Sequence, residues 1–145
     1  MVTTDEQSWT GENELPRSAL RVLLYSDHAG TRSAVRGAVG ERLAADLPPL
    51  EWHEVATAAA ALEAIEAGGL DLLVLDGEAG KVGGMSLARQ VKDEVFDAPP
   101  VLLLIARPAD AWLASWSEAD EVVSQPLDPF AFAETMAGML RKVVA

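Results

Sequence analysis

The feature that most constrains this chain is an alternation, repeated five times, of a short apolar run with a longer amphipathic stretch. Residues 21–26 (RVLLYS) read as a strand, and 31–45 place Val35, Val39 and Leu43 on one helical face. Leu47-Pro48-Pro49 closes that helix, because proline cannot continue it. Residues 50–56, with Trp52 and Val55, read as a weaker strand at a sheet edge. Residues 58–67 form an alanine-rich helix stopped by Gly68-Gly69. Residues 70–75 (LDLLVL) are the clearest buried strand, 77–84 a glycine-rich loop, and 85–95 a helix with Leu87, Ala88 and Val91 inward. A fourth strand, 101–105, follows Pro99-Pro100; then come a short helix at 109–117 and a short strand at 121–124. A closing helix at 129–143 carries Phe132, Met136, Met139 and Leu140 on one face, and Pro129 suits its first turn.

Near-continuous apolar strands joined by helical crossovers imply a parallel sheet covered on both faces. Crossovers are right-handed, so five such units suit an α/β, flavodoxin-like, doubly wound five-stranded sheet in the order 2-1-3-4-5 with five helices. The 145 residues suffice for one domain, placed at 20–145, behind a polar flexible tail at 1–19 in which Trp9 alone offers a docking group. Sheets of this kind keep their functional crevice at the carboxyl ends of the strands where the winding reverses. Here those are the first and third strands, whose ends carry Asp27 and Asp76.

Composition narrows the chemistry. There is no cysteine and there are two histidines, which rules out a disulfide framework and argues against thiolate or multi-histidine metal sites. A net charge of −12 argues against direct nucleic-acid binding, which needs clustered Lys and Arg; the acidity reads most simply as a solubilising surface. No apolar run reaches the roughly 20 residues needed to insert in a bilayer, and no signal peptide is visible, so a cytoplasmic location is expected. The loop at 77–84 lacks the GxxxxGK[ST] spacing of a phosphate-binding loop, and its glycines suit a plain turn.

Two acids ending neighbouring strands suit a hard divalent cation such as Mg²⁺, and one carboxylate can act as nucleophile toward a phosphoryl group. The plainer alternative is that each acid caps the turn after its strand. Over about residues 20–143 the sequence resembles the receiver domains of two-component response regulators, the CheY-like fold. VLLYSD matches the first-strand signature with Asp27 as the second of its two usual acids. DLLVLDGEAGKVGG puts Asp76 at the phosphoacceptor position and Gly84 at the family's glycine. ADEVVSQPLDPFAF matches the segment around a Lys-Pro pair, with Gln125-Pro126 in its place and a cis bond implied.

The departures bear on function. Ser26 stands where the family has its other metal-binding acid, Ile105 where it has a Ser or Thr that binds the phosphoryl group, and Gln125 where it has an invariant lysine. Val122 replaces an aromatic residue, and Gly80-Lys81 replaces a Met-Pro pair. A lysine about 4 Å from a phosphoryl oxygen contributes about 4 kcal/mol at an effective dielectric of about 20, where an amide hydrogen bond offers about 1. Asp27, Asp76 and Glu78 are left as a weak Mg²⁺ site. Lys81 or Arg107 offers a partial stand-in for the missing cation, though both read better as solvated surface groups.

The expectation is an atypical, stand-alone receiver, not an enzyme and without catalytic residues, similar to orphan actinobacterial regulators and only weakly phosphorylated at Asp76. With no residues after Ala145 for an output domain, its signal is expected to pass to another protein, such as a histidine kinase, or to a second copy. Trp112, Trp116 and Val122 are the candidate interface, on the surface of the fourth helix, fifth strand and fifth helix. A functional phosphorelay receiver and a flavodoxin-like cofactor binder are the alternatives.

Overall fold

The computed structural model describes residues 18–79 and 83–145, and the side chains of all of these except Ala109, Leu113 and Ala114. The expected tail, Trp9 included, lies outside the described residues except for its last two positions. Gly80 and Lys81 lie outside them as well.

Five parallel strands, β1 (Leu20–Tyr25), β2 (Leu50–Val55), β3 (Leu72–Asp76), β4 (Val101–Ile105) and β5 (Glu121–Ser124), form one sheet in the order β2-β1-β3-β4-β5. Between them run α1 (Ala29–Val39), α2 (Ala58–Ala67), α3 (Gly84–Glu94) and α4 (Ala111–Ser117), with α5 (Pro129–Val144) closing the chain. This is the doubly wound arrangement that the alternation implies. Every residue of β3 and β4 is buried, as both faces of a central strand are covered. β2 exposes Glu51 and Glu54, as an edge strand can.

Because side chains alternate across a strand, each central strand feeds two cores. Leu20, Val22 and Leu24 of β1 join Val35 and Val39 of α1 and Phe132, Met136 and Leu140 of α5. Leu23 and Tyr25 join Ala61 and Ile65 of α2 and Leu87, Ala88 and Val91 of α3 on the opposite face.

The first helix differs from expectation. It ends at Val39 rather than at residue 45, because Gly40 takes a positive φ of 73° and its N–H caps the Arg36 carbonyl. Leu43 and Ala44 still pack on the core and Leu47 is buried, so the apolar spacing outlasts the helix. The segment is clipped to α5 by Arg141, whose Nε and Nη2 donate to the Asp46 carboxylate at 2.8 and 3.0 Å. The fourth helix also starts later than expected, behind a 3-10 turn at Pro108–Asp110. Among the described residues, no helix is long and apolar enough to cross a membrane.

Candidate functional site

β1 and β3 pair in register, Tyr25 opposite Leu75, so the residues that follow, Ser26 and Asp76, arrive side by side. Both are buried, and the Ser26 hydroxyl donates to Asp76 Oδ2 at 2.8 Å. The other oxygen, Oδ1, accepts the Glu78 N–H at 2.9 Å. Ser26 Oγ in turn accepts the His28 N–H at 3.1 Å, and the Arg32 guanidinium donates to the Ser26 carbonyl at 2.6 Å. Gly84 lets α3 begin against the end of β3: a Cβ there would stand 2.5 Å from the Asp76 carbonyl oxygen.

Asp76 opens on a crevice of about 510 Å³ lined also by Asp27, His28, Thr31, Glu78, Ala106 and Gln125. The sequence-predicted trio Asp27, Asp76 and Glu78 is therefore brought to one place, with Asp27 exposed and Asp76 buried. Burial pushes the neighbouring Tyr25 phenol above its ordinary value, and the Asp27 and Asp76 charges push it the same way.

His28 was not foreseen. Its Nδ1 accepts the Thr31 N–H at 3.3 Å, capping α1, which places the neutral ring's proton on Nε2. Histidine is not among the usual N-cap residues, so its position before the helix carried no signal.

Among the described residues, no ion pair involves Asp76 and no three His, Asp or Glu side chains converge to hold a metal ion. Mg²⁺ accepts one or two carboxylates with water completing its shell, so the fit turns on Asp76. That carboxylate already takes a protein donor on each oxygen, the Ser26 hydroxyl on Oδ2 and the Glu78 N–H on Oδ1, so an ion must compete with both. As arranged, these residues fit the ion poorly.

No protein-family model matches the chain. Response regulatory proteins from two strains of Mycobacterium tuberculosis are each 48% identical to it over 124 residues, spanning 86% of this chain and 93% of theirs. The chain belongs to the response-regulator family. The receiver fold is repeated in solved structures of low identity. The signal receiver domain of a histidine kinase from Syntrophus aciditrophicus is 20% identical with a TM-score of 0.70, over 85% of this chain and 91% of its own. That of a LuxO repressor protein from Vibrio parahaemolyticus is 18% identical with a TM-score of 0.72, over 86% and 92%.

The other site residues expected from the sequence of this response regulator divide between the core and the crevice. Gln125 lines it, and the Gln125–Pro126 bond is cis. Ile105 is buried in the core shared with α2 and α3. Arg107 is turned to Asp110, donating from Nε at 3.3 Å and Nη2 at 3.0 Å. That pairing raises the guanidinium further above its ordinary value, with a smaller push from Glu78.

Trp112 is 69% and Trp116 49% exposed. Trp116 faces α3, where Arg89 lies 5.2 Å from its ring centroid and donates to its carbonyl at 2.7 Å. Val122 is half-buried against the core shared with α2 and α3. Trp116 thus borders α3.

Proposed function

We propose that this regulator is a receiver with a degenerate pocket, transmitting its signal by contact with a protein partner, with weak or absent phosphorylation of Asp76. The observation that carries the reading is Gln125 lining the crevice with Asp76, where no described lysine or arginine pairs with that carboxylate. A phosphoryl group brings close to two negative charges at neutral pH. An amide in place of a cation forgoes about 3 kcal/mol of the attraction that would hold it. Ile105 removes a hydroxyl from the end of β4, so little would draw the following loop toward the group. Mg²⁺ adds only weak support at Asp27, Asp76 and Glu78.

The partner surface is the exposed side of α4, with Trp112 and Trp116 as anchors and Val122 of β5 beside them; tryptophan is the commonest residue type to dominate binding energy. A histidine kinase of the two-component kind or a second copy of the chain is the class of partner, met in the cytoplasm. The acidic composition argues against nucleic acid.

Treatment with acetyl phosphate and Mg²⁺, followed by intact-mass measurement beside an Asp76→Ala control, tests the reading. Little or no gain of phosphate is expected. A stable, Asp76-dependent gain of one phosphate per chain would overturn it in favour of a conventional phosphorelay receiver.

A further inference from the structure

Ser26 is committed in both directions. Its hydroxyl oxygen accepts the His28 N–H, and its one proton goes to Asp76 Oδ2 at 2.8 Å rather than to the His28 carbonyl at 3.4 Å. Its backbone is fixed as well, since Arg32 holds its carbonyl and is itself braced by Glu54 of β2 at 3.2 Å. With Glu78 N–H on Oδ1, the buried carboxylate of the crevice has a protein donor on each oxygen. We infer that Ser26 is a positioning residue that ties Asp76 to protein donors where a divalent cation would otherwise bind, so that this crevice is organised without one. The inference rests on the reading of Asp76 as the functional carboxylate of the crevice.

The physical argument is one of competition. Mg²⁺ gives up its water reluctantly and needs an anionic oxygen to replace it. At Asp76 Oδ2 the ion must compete with a buried hydroxyl that already holds one of the oxygen's lone pairs, and the hydroxyl brings no charge of its own to compensate. Asp27, the other strand-end carboxylate, is exposed. Deleting the Ser26 hydroxyl therefore frees Oδ2 and strengthens cation binding, although it removes an oxygen from the site. If Ser26 were merely one ligand among several, deletion would weaken binding.

The test is a Mg²⁺ titration of the full ¹⁵N-labelled chain, read at the Glu78 and His28 amides, which hydrogen-bond to Asp76 and Ser26. Relative to wild type, Ser26→Ala is expected to bind about 10- to 100-fold more tightly, the loss of one competing hydrogen bond to a charged acceptor. Ser26→Asp, adding a charge, is expected to gain more than tenfold, and Ser26→Thr, keeping the hydroxyl, to stay close to wild type. A well-dispersed Ser26→Ala spectrum with affinity equal to or below wild type overturns the inference. Should that variant unfold, equal affinities of Ser26→Thr and Ser26→Asp overturn it instead. A wild type that takes phosphate readily, while Ser26→Ala still binds Mg²⁺ more tightly than wild type, would refute the proposed function and leave this inference standing, so the two failures are distinguishable.

Discussion

Replacing Ser26 by alanine should destabilise the fold by an amount set by one buried contact. The bond from its hydroxyl to Asp76 Oδ2 is 2.8 Å long, with Ser26 fully buried and Asp76 3% exposed. Hydrogen bonds to charged acceptors contribute about 1.5–3 kcal/mol, more than neutral ones. The His28 N–H also loses its acceptor, but it is only part-buried and water can replace Ser26 there. The total is about 2–3 kcal/mol, which for a domain of this size lowers Tm by roughly 6–12 °C. A double-mutant cycle with Asp76→Ala, followed by urea unfolding, isolates the pair. In the Asp76→Ala background the serine should be worth well under half as much, a coupling of about 1–2 kcal/mol. A coupling below about 0.5 kcal/mol is within ordinary non-additivity and would refute the claim that the two side chains hold one another.

Gly84→Ala should cost about 1–3 kcal/mol by forcing the start of α3 away from the Asp76 carbonyl; unchanged urea stability would refute that close approach. Tyr25 is the sole tyrosine, so ultraviolet titration of the phenol reads it alone, and its midpoint should lie above about 10 and fall only slightly in Asp76→Ala, since burial and Asp27 push it up more than Asp76 does. Because the folded value is the higher one, the associated stability is whole below about pH 10 and is lost as the pH rises through the raised value; a native midpoint at or below 10 would contradict this. The Trp112→Ala/Trp116→Ala double variant should unfold within about 1 kcal/mol of wild type, as exposed positions do. It should also lose the partners that wild type recovers in a pull-down; equal recovery of every partner would remove the proposed surface.

The sheet order was legible because apolar runs and helical spacing alternate without interruption, and right-handed crossovers leave few ways to arrange them. The crevice was legible for the same reason: adjacent strand ends converge wherever the winding reverses, so Asp27 and Asp76 had to approach. The end of α1 was not, since Leu43 continues the spacing of Val35 and Val39 although Gly40 has already turned the chain. Ser26 could be identified from the sequence as a substitution but not as a donor, because that depends on the register of two strands 50 residues apart. The Arg89 contact with Trp116 likewise joins two helices whose relative rotation no local pattern encodes.

In the function proposed here, the crevice is a poor phosphate acceptor because it lacks a cation at residue 125. Wild type and Gln125→Lys, treated side by side with acetyl phosphate and Mg²⁺ and followed by intact mass, test it most directly. The gain of about 3 kcal/mol is reduced by solvent in so open a crevice, so a 10- to 100-fold greater extent of Asp76 phosphorylation is expected in the lysine variant. Equal phosphorylation of the two proteins would contradict it.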